Sequence, residues 1–260
     1  TRMAEGSLSA RARVAGNDEV GALARAFNTM AERVEGTVTT LGRFAADVAH
    51  ELKTPLTALR VDLDLVLDTS DGAPDITAVR RAQEQIKRLD ALTSGLLDLS
   101  RIESGADTMP MVPIDLGGLV KSVVDAHASR AEQAGLSLFV SVAEGGAQVH
   151  GDESQLRRAM GNLLDNAIKF TPEGGEIRIM LQREEDWAVV TIEDTGVGIP
   201  AEDMPQLFSR FHRGRNSSKY PGNGLGLAIV KAILDNHHGQ VAVENTAIGV
   251  RFSIRLPLTS

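Results

Sequence analysis

The sequence predicts a multidomain chain: a helical hairpin forming a dimeric four-helix bundle, followed by an α+β sandwich. Three observations carry that reading. Apolar residues from Val20 to Val66 recur at steps of three and four, the period of a coiled-coil seam. A second segment, Ile76 to Ile102, repeats the period after a break rich in turn formers. Beyond Pro113 the pattern becomes short alternating or β-branched runs interleaved with helical stretches, the order of a sheet covered on one face by helices.

Taken in chain order, Gly16-Asn17-Asp18 is turn chemistry, and Asp18 suits a helix N-cap. The seam then runs from Val20, Leu23 and Phe27 to Leu59, Leu63 and Val66. At Met30-Val34-Val38 and Val48-Leu52-Leu56 it steps by four twice, and such stutters locally unwind a supercoil. A continuous helix over 18–67 would be about 75 Å long at ~1.5 Å per residue. Gly36 and Gly42 weaken its middle by ~1 kcal/mol each against Ala. Residues 68–75, with Gly72 and Pro74, stop it. Two antiparallel helices cannot bury both stripes on each other, so two hairpins are expected to pack together. A linker over 104–113 carries Gly105, Pro110 and Pro113. Strands are expected near 136–142, 176–181, 188–192 and 250–256, and helices near 117–134, 152–170 and 225–237.

Composition narrows the function. Across 260 residues, 42% hydrophobic and 24% charged content excludes wholesale disorder. No run approaches the ~18 apolar residues of a membrane span. The absence of cysteine excludes disulfides, thiolate metal sites and a cysteine nucleophile. A net charge of −8 argues against a nucleic-acid partner held by global positive charge. Aromatics at 3% leave the core to Leu, Val, Ile and Ala.

One histidine stands apart. His50 lies two residues from both Val48 and Leu52, so at 100° per residue it points about 160° away from each and faces solvent. A lone helical histidine is as readily a surface or packing residue. Glu51, however, can hydrogen-bond one ring nitrogen and leave the other nucleophilic. Pro55 removes the amide that would bond the Glu51 carbonyl, a bend that costs ~3 kcal/mol unless something requires it. The second stutter falls at the same turn. His50 is therefore a candidate nucleophile.

A second group of residues suits phosphate. Asn162, Asn166 and Lys169, at i, i+4 and i+7, share one helix face. A carboxamide oxygen suits Mg²⁺ and a lysine suits phosphate, although alone the trio could be a solvated face. Asp194-Thr195-Gly196-Val197-Gly198 follows a strand. Its glycines allow close approach of a ligand and Asp194 offers an acceptor to a base amine, although alone it is equally a strand-ending turn. Gly222-Asn223-Gly224-Leu225-Gly226 opens a helix whose free amides favour phosphate. It is not the dinucleotide fingerprint, since Leu227 holds the third glycine's place, and no P-loop or protein-kinase signature is present. Polar residues 209–221 between the glycine motifs suit a lid.

Together these residues resemble a sensor histidine kinase of a two-component system. Phe44 to Leu56 resembles the H box, Asn162 to Pro172 the N box, Asp194 to Pro200 the G1 box, Leu207 to Arg213 the F box, and Gly222 to Leu227 the G2 box. Residues 1–35, notably Gly16 to Gly21 and Ala26 to Met30, resemble the second half of a HAMP signal relay. The resemblance implies a partial HAMP over 1–35 and a HisKA-type dimerisation and phosphotransfer hairpin over 36–103. A Bergerat-type (GHKL) ATP-binding domain would follow over 114–258, with ATP and Mg²⁺ as ligands, a homodimer, and a cognate response regulator as partner. It implies that His50 accepts the γ-phosphoryl group, with Glu51 as acid/base partner and Thr54 orienting water for dephosphorylation of the regulator. Asn166, supported by Asn162, would hold Mg²⁺. Lys169 and Arg213 would meet phosphates, Asp194 the adenine amine, and Gly196, Gly198, Gly222, Gly224 and Gly226 the nucleotide at close range. Asn162 stands where related ATP hydrolases carry a water-activating Glu, which favours transfer over hydrolysis.

Departures from the family pattern are Asn223, in place of a threonine, and the glycine-poor turn 245–249, to which no ligand role is assigned. The HAMP-like segment lacks its first helix. The expectation is a cytoplasmic piece of a bacterial membrane-anchored receptor, meeting the membrane only through N-terminal spans outside this sequence. Two other readings stay open. An ATP-hydrolysing or serine-phosphorylating relative would leave His50 in its Pro-kinked helix unexplained, and a scaffold without catalysis would leave Asn166, Lys169, Asp194 and the glycines unexplained.

Overall fold

The computed structural model describes residues 10–14, 18–67, 76–104, 110–143, 146–217, 220 and 222–259, with the side chains of residues 43 and 104 excepted. Gly16-Asn17, the connection 68–75, most of the expected linker, and Ser218, Lys219 and Pro221 of the expected lid lie outside them. The chain divides into two compact units, Thr1–Gln85 and Ile86–Ser260.

The first unit is built on α1 (Glu19–Leu67), a single helix of 49 residues that runs through Gly36, Gly42 and Pro55. Asp18 caps it, its Oδ1 accepting the Gly21 N–H at 2.9 Å. A segment without regular structure, 10–14, is clasped to it: Asn28 Nδ2 donates to the Ala12 carbonyl at 2.9 Å, and the Ala12 N–H donates to Asn28 Oδ1 at 2.7 Å. Near the far end, Arg81 on α2 (Ile76–Ser104) donates to the buried Asp62 at 2.9 Å, tying the start of α2 to the end of α1. The seam of α1 stays open in this unit, with Leu23, Met30, Leu41, Leu56 and Leu63 all exposed.

The second unit begins with α2 from Ile86 onward, the larger part of that helix, whose Leu99 and Ile102 join the buried core. The sequence placed these residues with the hairpin. Asn236 Nδ2 donates to the Ile102 carbonyl at 2.9 Å, and Arg158–Asp98 and Arg210–Glu103 ion pairs hold the same stretch. Then follow β1 (Val112–Asp115), α3 (Leu116–Gln133), β2 (Ser137–Val142), β3 (Gln148–Gly151), α4 (Glu153–Phe170), β4 (Glu176–Glu184), β5 (Trp187–Asp194), α5 (Gly226–Asn236), β6 (Gln240–Asn245) and β7 (Val250–Pro257). Five strands form one sheet in the order β2-β4-β5-β7-β6, parallel at β2–β4 and antiparallel elsewhere. Antiparallel β1 and β3 form a small second sheet, so Val112 and Pro113 of the expected linker are already paired.

Alternation decides which sheet face is covered. Ile177, Ile179 and Leu181 on β4, with Phe252, Ile254 and Leu256 on β7, point into the core that α3, α4 and α5 share. The intervening residues carry ion pairs such as Arg251–Glu193 and Arg255–Glu184. Asp115 caps α3 by accepting from the Gly117 N–H, and Asp152 caps α4 by accepting from Ser154 and Gln155. Helix α5 has no side-chain cap, so its first amides are left to another partner.

Candidate functional site

On the first unit His50 is exposed on α1 with Glu51 half-buried beside it. The Thr54 hydroxyl donates to the His50 carbonyl at 3.3 Å, and the Thr57 hydroxyl to the Lys53 carbonyl at 2.8 Å. These bonds bracket Pro55, where the helix lacks an amide, and they hold the turn that carries His50.

On the second unit one face of α4 meets the start of α5. Asn162, Asn166, Lys169, Arg213, Gly222, Gly224 and Gly226 line one cavity of about 290 Å³. Asp194 and Gly198 line an adjoining slot of about 70 Å³ with Val197, Ile199 and Phe252. Asn166, Phe170 and Leu227 belong to both walls, so the two make one crevice with a cationic end and an apolar end. Gly196 lines neither. Its N–H donates to Asp194 Oδ1 at 2.8 Å, and a Cβ there would lie 2.6 Å from that oxygen and 2.7 Å from the Phe170 carbonyl.

The cationic end is the uncapped start of α5. Gly224 turns the chain into it at φ +69°, where a Cβ would come within 2.6 Å of the Phe211 backbone, so only glycine fits. Burial first, and then the positive charges of Arg213 and Arg130, hold the Lys169 ammonium down at about 8. A polyanion beside it would favour the ammonium and raise it again. Arg213 donates to the Ser217 and Tyr220 carbonyls at 3.0 and 2.8 Å, bracing the chain that borders the crevice. At the apolar end burial pushes the Asp194 carboxyl up, against backbone bonds from Gly196 and Val250 that pull it down. Both bonds fall on Oδ1, which leaves Oδ2 for a ligand.

Hard divalent cations take oxygen ligands. Asn162 donates its Nδ2 to the Gly226 carbonyl at 3.2 Å, which leaves its Oδ1 as an acceptor one turn from Asn166. Two carboxamide oxygens one turn apart would suit a hard divalent cation such as Mg²⁺.

Some contributors carried no signal in the sequence. Arg130 and Asp165 line the cationic end and are ion-paired. The turn 245–249 lines neither cavity yet positions the glycine loop: Asn245 bonds Ile199 N–H and C=O at 2.9 and 2.8 Å, and a Cβ at Gly249 would lie 2.0 Å from the Asp194 carbonyl oxygen. Asn223 accepts from the Leu225 N–H and donates to the Ala91 carbonyl on α2, joining the glycine loop to that helix.

Three family models match the chain in succession: the HAMP domain over 1–36, the His Kinase A (phospho-acceptor) domain over 40–105, and the histidine kinase-, DNA gyrase B-, and HSP90-like ATPase over 151–260. The chain is similar to the sensor histidine kinase CusS of Escherichia coli K12, 37% identical over 247 residues that cover 92% of this chain and 50% of CusS. It is also similar to the signal transduction histidine-protein kinase/phosphatase MprB of Mycobacterium tuberculosis H37Rv, 35% identical over 244 residues, 91% of this chain and 47% of MprB. Among solved structures, the Acinetobacter baumannii histidine kinase AdeS superposes with a TM-score of 0.66 at 27% identity, over 81% of this chain and 98% of that one. The chain spans about half the length of the curated relatives it matches.

Proposed function

The chain belongs to the sensor histidine kinases of two-component systems, and from that premise we propose that it phosphorylates His50 from Mg-ATP and passes the phosphoryl group to an aspartate of a response regulator. The observation that carries the reading is the two-ended crevice. Lys169 and the free amides of α5 suit a triphosphate, and Asp194 in its apolar slot suits the adenine amine. Mg²⁺, held by Asn166 with Asn162 in support, would neutralise charge developing on the phosphates.

In the transfer an imidazole nitrogen of His50 bonds to the γ-phosphorus while the bond to the ADP oxygen breaks. Glu51 orients the ring and takes up its proton. Arg213 and Lys169 hold the phosphates, and Gly198, Gly222, Gly224 and Gly226 let backbone approach the nucleotide, while Gly196, set back from both cavities, holds the Asp194 carboxylate in place. The domain limits proposed are 1–35, 36–103 and 114–258, with 104–113 between the last two. The exposed seam of α1 supports a homodimer through the hairpin. The name kinase/phosphatase carried by MprB supports a second activity, removal of the phosphoryl group from the regulator with Thr54 positioning water. The HAMP match supports a place on the cytoplasmic side of a bacterial membrane receptor. No helix among the described residues is long and apolar enough to cross a membrane.

The test is His50→Gln. ATP-dependent, acid-labile labelling should vanish while self-association persists. Undiminished labelling of the variant would sink the assignment.

A further inference from the structure

We propose that Arg130 is a further cationic contact for the phosphate chain, held at the cavity by an exchangeable ion pair with Asp165; this rests on reading the cavity as an ATP site. Arg130 stands in the last turn of α3, outside every asparagine or glycine motif, and lines the cationic end beside Asn162, Asn166 and Lys169. Its guanidinium pairs with Asp165, which sits on α4 directly before Asn166 and lines the same cavity.

An anionic carboxylate on the wall of a phosphate site opposes binding unless its charge is matched. The pair supplies the match and is easily broken. The Arg130 side chain is 55% exposed and that of Asp165 42%, and ion pairs at a solvent rim are weak. Arg213, by contrast, already donates to two backbone carbonyls. Arg130 thus gives up only a rim ion pair on swinging to phosphate, and its planar fork suits phosphate oxygens. Its charge already reaches into the cavity, since it helps depress the Lys169 ammonium.

Calorimetry of the full chain with Mg-ATP and with adenosine tests this. Arg130→Ala should weaken ATP about tenfold and leave adenosine unchanged, Arg130→Lys should recover most of the loss, and Asp165→Asn should tighten ATP. Equal ATP affinity in Arg130→Ala and wild type overturns the proposal, as does no recovery in Arg130→Lys. So does equal weakening by Arg130→Ala and Asp165→Asn, the mark of a mere staple between α3 and α4. A wild-type chain that binds neither ligand brings down the ATP reading itself, and this proposal with it.

Discussion

Helices α1 and α4 carry apolar stripes of the same spacing and end in opposite situations. On α4, Leu163 and Leu164 are 0% and 1% exposed, because the stripe meets the sheet of its own unit. On α1, Leu41 and Leu63 are 61% and 47% exposed within theirs. Periodicity therefore specifies a helix and its sticky face but not what covers that face. In α4 the cover comes from the same chain. In α1 the seam calls for another surface, which is the physical argument for the four-helix bundle.

The sharpest way to break this contrast is one deletion on each helix. Leu163→Ala leaves a cavity in a closed core and should cost about 2–5 kcal/mol at every protein concentration. Leu63→Ala should barely move the melting of a dilute, dissociated chain but should weaken self-association, read by sedimentation and by melting at two concentrations. Equal, concentration-independent losses for both variants would place Leu63 in an intramolecular core and remove the argument for a dimer seam.

A smaller effect sharpens the picture of the second unit. Buried His237 pins α5 to the start of α4: its Nδ1 donates to the Ile233 carbonyl at 2.7 Å, and its Nε2 accepts the Asp152 N–H at 2.9 Å. Both nitrogens are satisfied only in the neutral ring. Burial pulls its pKa below the usual 6.5, against the Ile233 bond and the charge of Asp152, with His238 adding to the lowering. The unfolded ring takes a proton as pH falls through 6.5, whereas the folded ring resists. The stabilisation is thus present above about pH 6.5 and is lost as pH falls toward the folded value. Asp194, with its pKa raised, works the other way, so only a difference is informative. Thermal melts from pH 7.5 to 5 should fall more steeply for wild type than for His237→Gln. Parallel curves would remove His237 as the cause.

The legible parts of the fold are those in which local pattern and tertiary role coincide. The seam of α1, the helices near α3, α4 and α5, and strands β2, β4, β5 and β7 follow from spacing alone. β1 and β3 are four residues each, too short for alternation to register, and Pro113 in β1 argues against a strand. β6 alternates at Val241 and Val243 but is short and follows Gly239. The division of α2 between units was invisible because its period is the same throughout. At the site, Asn162, Asn166 and Lys169 could be read because they share one helix face. Arg130 could not, since it meets Asp165 across 35 residues and only after α3 and α4 have packed.

The least perturbing test bears on the open side of the contrast, at the turn of α1 that carries His50. Pro55 takes from the helix the amide that would bond the Glu51 carbonyl, and one residue earlier the Thr54 hydroxyl bonds the neighbouring His50 carbonyl at 3.3 Å. That bond uses the hydroxyl proton and leaves the oxygen free to accept from a water one turn beyond His50. Two roles are therefore stacked on one side chain, and they separate by variant. Thr54→Ala removes both and should cost under about 1 kcal/mol of stability, since the site is exposed. It should keep most autophosphorylation but leave the phosphorylated regulator long-lived. Thr54→Ser retains the hydroxyl and should restore dephosphorylation. If Thr54→Ala instead clears the phosphorylated regulator at the wild-type rate, water positioning is wrong, and the bond to the His50 carbonyl is all that this threonine does.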